Sequence, residues 1–251
     1  MKKIYFVSDA HLGARHHGGS RQAEKKLAGW LDSIRCDAAA VYFLGDMFDY
    51  WFEYRYVVPK GFVRFLGKLA ELADQGIEIH IFTGNHDVWM FDYLTTETGA
   101  VVHRDTLNVE LLGKRFFLGH GDEVGRRSLM FRLIRAIFRN RLCQRLYAAI
   151  HPRWTFGFAR WCSLKSRLGG LNNETGGREA WGYLADFASE YLREHPGGAD
   201  FFIFGHRHIM LDMHIAPSAR LLIAGDWMKY FSYIVWDGLA LSLLTCDSTD
   251  D

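Results

Sequence analysis

Cysteine is scarce in this chain of 251 residues: Cys36, Cys143, Cys162 and Cys246 lie far apart, and no CxxC pair occurs. That spacing suggests neither a zinc knuckle nor a disulfide framework, and it leads us to expect reduced, mostly buried thiols of a cytoplasmic protein. Long apolar runs are also missing. No stretch of about 18 uncharged apolar residues occurs, so no membrane-spanning helix is expected. The opening MKKIYFVSDAH has only five residues, Ile4 to Ser8, between its lysines and Asp9. That is too short for the core of a signal peptide, so we expect the protein to stay inside the cell. Net charge is nearly absent as well. Thirty basic and 29 acidic residues give +1, which argues against a globally basic nucleic-acid binder. What is present, 49% hydrophobic and 24% charged residues, suits a soluble globular protein with a sizeable core. We expect residues 1–251 to form a single domain.

Short apolar runs alternate with helical patterns. KIYFVS (3–8), AAAVYFL (38–44), IEIHIFT (77–83), RFFLG (115–119) and ADFFIFG (199–205) read as buried strands, rich in aromatic and β-branched residues. Residues 21–35 and 61–75 carry apolar residues three or four apart, as in Phe62, Phe65, Leu66, Leu69 and Leu72. That order predicts βαβ units and a layered α/β fold. The tail differs. MLDMHIA, ARLLIAG, FSYIVWD and LALSLLT follow closely on one another and predict an antiparallel meander or hairpins.

The ends of the five buried strands share a chemistry. In chain order they deliver Asp9 and His11, then Gly45, Asp46 and Asp49, then Gly84 to Asp87, then Gly119 to Asp122, then Gly205 to His208. Any one of these clusters is ordinary turn chemistry. Five in succession, at the strand ends where open α/β sheets bind ligands, point to a site. Imidazoles, carboxylates and one amide oxygen, without a thiolate, suit Mn²⁺, Fe or Zn²⁺ better than a soft metal. Asp9, His11, Asp46, Asn85, His120, His206 and His208 are too many for one tetrahedral ion but suit two ions sharing a carboxylate. The glycines before Asp46, Asn85, His120 and His206 would let backbone and ligands crowd together.

D-x-H, G-D-x-x-D, G-N-H-D, G-H and G-H-x-H, in this order over residues 9–208, resemble the five motifs of the calcineurin-like metallophosphoesterase family. The resemblance implies a four-layer α/β/β/α sandwich with a dimetal site at its rim. By motif, Asp9, His11 and His208 would hold one divalent ion, Asn85, His120 and His206 the other, and Asp46 would bridge them. His86 resembles the family histidine that steadies or protonates the leaving oxygen, and Asp49 its orienting carboxylate. Such pairing fixes the tautomer and favours the imidazolium, as a general acid requires. Asn85, His86 and His206 are also expected to touch the substrate.

Between the fourth and fifth motifs, residues 126–167 hold eleven Arg or Lys and no Asp or Glu. Leu129, Phe131, Leu133, Ile134, Ile137 and Phe138 interleave with Arg132, Arg135 and Arg139, and Trp154, Phe156, Phe158 and Trp161 follow. A basic amphipathic helical pair of this kind can lie on a membrane surface or hold an anionic amphiphile. The alternatives are a helical hairpin with an apolar core face and solvated arginines, or a nucleic-acid surface. Evenly spaced aliphatic residues disfavour nucleic acid. The segment resembles the helical lid, here residues 126–180, of a family branch acting on UDP-2,3-diacylglucosamine in lipid A synthesis. That branch has Mn²⁺ as its usual metal and sits peripherally on the cytoplasmic face of the inner membrane. The resemblance implies a nucleotide-linked lipid substrate and no obligate protein partner, with Lys165 and Asn172 as candidate lid contacts. The best-known members carry Arg where this chain carries His86, the residue general to the family.

Overall fold

The computed structural model describes residues 2–14, 20–125, 129–157 and 177–246. Two mixed sheets lie face to face with helices outside each. The first sheet has the order β11-β10-β1-β2-β3-β4, from Leu241–Thr245, Ser232–Trp236, Lys3–Val7, Ala38–Phe43, Glu78–Phe82 and Val101–His103. The second has the order β5-β6-β7-β9-β8, from Leu107–Leu111, Lys114–Leu118, Phe201–Phe204, Ala219–Ala224 and Met210–Ala216. Strands β1 to β4 run parallel, as do β6, β7 and β9.

Side-chain alternation along the strands builds the layers. Tyr5, Val7, Val41, Phe43, Ile79 and Ile81 pack outward against Leu27, Trp30 and Leu31 of α1 (Ser20–Ile34) and Phe65, Leu69 and Leu72 of α2 (Val63–Asp74). Their neighbours Ile4, Phe6, Ala40, Tyr42 and Phe82 face the other sheet and meet Phe116, Leu118, Ile203 and Leu222. Phe117, Phe202, Phe204 and Leu221 point away from that interface onto Leu184, Ala185 and Ala188 of α7 (Arg178–Glu194). The result is the α/β/β/α sandwich.

Two buried acids tie helices to the frame. Glu24 of α1 accepts from the backbone N–H groups of Arg64 and Phe65, satisfying donors that the left-handed Phe62 at the start of α2 leaves open. Glu53 does the same at the entry to α3 (Tyr93–Thr98), accepting from Phe91, Asp92 and Tyr93. The tail forms two hairpins rather than one meander. β8 and β9 pair in the second sheet, while β10 and β11 close the edge of the first.

The segment after β6 holds α4 (Leu129–Arg139), α5 (Arg141–Ala148) and helical residues 152–157, α6. Asn140 caps α5 through its side chain, which accepts from Leu142 and Cys143. No described residue of α4 or α5 joins the three buried clusters, so the core-hairpin alternative does not hold for this part. Helix α7, which carries Leu184, Ala185 and Ala188 into the core, begins at Arg178.

Candidate metal and catalytic site

The parallel strands β1, β2, β3, β6 and β7 end on one rim, and backbone bonds lace their loops together. Asp9 donates to Gly45 and His11 to Asp46, both through main chain, while Gly205 donates to the carbonyl of His120. The Asp9 carboxylate accepts from the His206 N–H at 2.8 Å. Five of the seven expected ligand residues, Asp9, His11, Asp46, His206 and His208, have positive φ between 41° and 67°. Such backbone costs of order 1–3 kcal/mol per residue and persists where surrounding structure enforces it, as at functional sites. Gly45 and Gly84 show how tight the enforcement is. A Cβ at Gly45 would stand 2.6 Å from Nδ1 of His120, and one at Gly84 would overlap the Asp46 carboxylate.

Ligand atoms converge in three overlapping groups: Asp9, His11 and His208; His11, Asp46 and His86; and Asp46, His120 and His206. Asp46 belongs to two of them. Its Oδ2 is 3.7 Å from Nε2 of His11 and 3.4 Å from Nε2 of His120. Asp9 Oδ1 stands 3.8 Å from Nε2 of His11 and 3.7 Å from Nε2 of His208. Asn85 joins through Oδ1, 3.3 Å from Nε2 of His120. Nδ1 of His120 donates to the Leu44 carbonyl at 2.8 Å, which turns Nε2 toward Asp46 and Asn85.

The chain matches the calcineurin-like phosphoesterase family over residues 2–210. It belongs to that family. Its relatives include the UDP-2,3-diacylglucosamine hydrolase of Porphyromonas gingivalis, 54% identical over 96% of this chain and 96% of the relative. The protein of the same name from Ralstonia nicotianae is 27% identical over 89% of this chain and 83% of the relative. Among solved structures, a dimetal phosphatase from Danio rerio superposes with a TM-score of 0.48 at 14% identity, covering 98% of this chain and 99% of that one. As a calcineurin-like phosphoesterase, the chain is a hydrolase that works with divalent metal ions.

The donor set of this phosphoesterase fits such ions. Asp9 Oδ1, both ring nitrogens of His11 and Nδ1 of His208 are buried without a hydrogen-bond partner. Left so, each polar atom costs about 1–3 kcal/mol. The electrostatics agree. Burial opposes ionisation of Asp46, yet His120 and His86 beside it hold its carboxyl well below the usual range. Burial likewise presses the His120 imidazole down, but Asp46 outweighs it and holds His120 well above its ordinary value. Burial and the neighbouring His120 push His206 down to about 3. Asp46 thus favours a positive charge on His120, while burial favours the neutral form of His11 and His206.

The catalytic candidates lie beside these groups. His86 donates its backbone N–H to Asp46 Oδ1 at 2.8 Å, and its ring packs edge-on to His11 with centroids 4.7 Å apart. Its Nδ1 donates to the main-chain carbonyl of Asp49 at 3.1 Å, while the Asp49 carboxylate stands 3.7 Å from Nδ1 of both His86 and His11. Asp49 thus holds His86 first through its backbone, and its carboxylate is shared between two rings. Lys165 and Asn172 lie outside the described residues.

Three further acids, outside the motif ligands, shape the site. Asp87 accepts from Gly84, Asp46 and Phe48 and so fixes the loops of the second and third motifs to each other. Burial and Asp46 push its carboxyl up to about 7. Glu123 accepts from the N–H groups of His120 and Gly121. Asp226 lies behind His208, its Oδ2 3.6 Å from Nδ1. A signal for it existed: AGDW at the end of β9 repeats the strand-Gly-Asp pattern of LGDM at the end of β2.

Helices α4 and α5 rest on aromatic residues that follow the second and third motifs. Tyr50 and Phe52 follow Asp49, and Trp89 follows His86. Tyr147 of α5 packs on Trp89 and Phe52 and shares a hydroxyl hydrogen bond with Tyr50 at 3.1 Å. Trp89 also donates to the Phe138 carbonyl of α4. A cleft opens beside Asn85, under Ile134, Arg135, Phe138 and Arg139 of α4.

Proposed function

We propose that this phosphoesterase hydrolyses the pyrophosphate bond of UDP-2,3-diacylglucosamine, releasing UMP and diacylglucosamine 1-phosphate in lipid A synthesis. The observation that carries the reading is the near-full-length similarity to the Porphyromonas gingivalis UDP-2,3-diacylglucosamine hydrolase. The lid supports it. Leu133, Ile137, Leu142 and Leu146 stay exposed beside the site, as a surface for acyl chains would.

In this reading Asp9, His11 and His208 hold one ion, Asn85, His120 and His206 a second, and Asp46 both. Bound there, divalent ions supply Lewis acidity toward a phosphoryl oxygen and activate water. Oxygen and nitrogen ligands without thiolate suit Mn²⁺, Fe or Zn²⁺, and the resemblance to the UDP-2,3-diacylglucosamine branch selects Mn²⁺ among them. His86, with Nδ1 committed to the Asp49 carbonyl, offers Nε2 to the leaving phosphate oxygen and can give it a proton. His120, fixed by Leu44, keeps Nε2 aimed at Asp46 and Asn85. No described helix is long and apolar enough to cross a membrane. Exposed Leu142, Leu146 and Trp154, with Arg141 and Arg145 in the same segment, suit peripheral contact with the cytoplasmic face of the inner membrane.

The test is a substrate panel with Mn²⁺: UDP-2,3-diacylglucosamine, UDP-glucosamine, an aryl phosphomonoester and a cyclic nucleotide. A kcat/KM for the diacylated substrate at least 10²-fold above the others is expected, because each buried methylene contributes about 0.8 kcal/mol. Preference for the monoester or cyclic nucleotide would replace this reading with another phosphoesterase activity on the same site.

A further inference from the structure

Asp226 is 3% exposed, and its two oxygens have different tasks. Oδ1 accepts from the backbone N–H groups of Met228, Lys229 and Tyr230, closing the turn after β9. Oδ2 is left facing Nδ1 of His208 at 3.6 Å, about half an ångström beyond an ordinary N–H···O hydrogen bond. That Nδ1 is buried and has no nearer partner. The next residue, Trp227, donates its N–H to the Asp9 carbonyl at 3.1 Å. One turn therefore braces two of the three residues grouped around His11, while His120 in the other group is fixed by the Leu44 carbonyl instead.

We propose that Asp226 is a positioning residue that sets the tautomer of His208. Its carboxylate can only accept, so it holds a proton on Nδ1 and leaves Nε2, which faces Asp9 Oδ1 at 3.7 Å, as the nitrogen free to bind an ion. A metal-ligating imidazole is usually held in this way by an acceptor on its other nitrogen. The inference rests on the two-ion reading of the site but concerns one half of it alone.

Asp226→Asn separates this role from turn capping. The amide oxygen still accepts from the three backbone donors, so the turn survives. The amide NH₂ now faces Nδ1 and demands a lone pair there, which moves the proton to Nε2, the ligand atom. In metal-free protein, at a pH high enough to keep the ring neutral, long-range ¹⁵N–¹H correlation should show the His208 proton on Nδ1 in the wild type and on Nε2 in the variant. Mn²⁺ titration should show one of two sites weakened about 10–100-fold and the other unchanged, with the metal-free melting temperature retained. Asp226→Ala, which also loses the cap, should melt lower. A wild-type isotherm in Asp226→Asn would overturn the proposal, as would a neutral wild-type ring that carries its proton on Nε2. Uptake of fewer than two ions by the wild type would refute the two-ion reading itself, while the tautomer result would still decide the role of Asp226.

Discussion

Replacing Asp46 by Asn is the most demanding perturbation of the site, because one carboxylate faces both groups of ligands. Its Oδ2 lies 3.7 Å from His11 and 3.4 Å from His120, and its Oδ1 holds the His86 backbone N–H at 2.8 Å. Asn keeps the size and can keep the bond to His86, so the loop geometry is preserved. The charge is what goes. At about 4 Å and an effective dielectric near 20, one unit charge pair is worth about 4 kcal/mol. For an ion on either side, that corresponds to a loss of affinity of roughly 10³-fold. Folding should not suffer. Asn fills the same space, and the attraction to His120 that is lost is offset by relief of the repulsion that raises the pKa of Asp87. Mn²⁺-stimulated hydrolysis of an aryl phosphodiester should therefore fall at least 10³-fold in Asp46→Asn at micromolar metal. Circular dichroism should be unchanged, and metal content after desalting should drop. Near-normal activity with two retained ions would refute the bridging role.

Three further outcomes follow from the same geometry. His86→Ala should lower kcat by roughly 10²–10⁴ with unchanged metal content, the usual worth of general acid–base catalysis; loss of metal would instead make His86 a ligand. Replacing Leu133, Ile137 and Phe138 of α4 together by Ser should raise KM steeply for the diacylated substrate and leave aryl phosphodiester hydrolysis within a few-fold, since all three side chains are at least 40% exposed; equal losses on both substrates would contradict an acyl-binding lid. The third concerns pH. Burial and the neighbouring His80 push His103 down to about 4, and His80 Nδ1 lies 3.0 Å from His103 Nε2. The folded value is below the unfolded one near 6.5, so the unfolded chain takes up its proton first. Stability from the neutral pair is complete above pH 6.5 and lost as pH falls toward 4. Discounted for the half-exposed ring, the loss should be about 1–2 kcal/mol. The stability difference between wild type and His103→Asn in urea unfolding should shrink accordingly between pH 7 and pH 4.5, and a constant difference would refute it.

Much of the architecture was legible because buried strands announce themselves. β1, β2, β3, β6 and β7 are near-continuous apolar runs, and each ends at the rim that gathers the site. What escaped had weaker signals. β4 has three residues, and β5, LNVEL, alternates between half-buried and exposed positions beside a turn. α3, YLTTET, is too short to show a helical period, and its entry is held by Glu53, forty residues earlier at Tyr93. The split of the tail between two sheets depends on packing, which spacing alone does not encode. At the site, ligand-type residues stood out as a series of motifs. Asp87, Glu123 and Asp226 did not, because they act on backbone N–H groups and neighbouring rings, and such acids look like ordinary turn residues in sequence. The exposed apolar face of α4 and α5 was readable as amphipathic, but its failure to join the core became visible only in three dimensions.

The central claim is that five strand ends assemble a two-ion centre around Asp46. Anomalous diffraction from crystals of the Mn²⁺-loaded protein tests it most directly. Two manganese peaks about 3.5–4 Å apart are expected, one among Asp9, His11 and His208 and the other among Asn85, His120 and His206, with Asp46 between them. A single peak, or a second one away from Asn85 and His120, would contradict it.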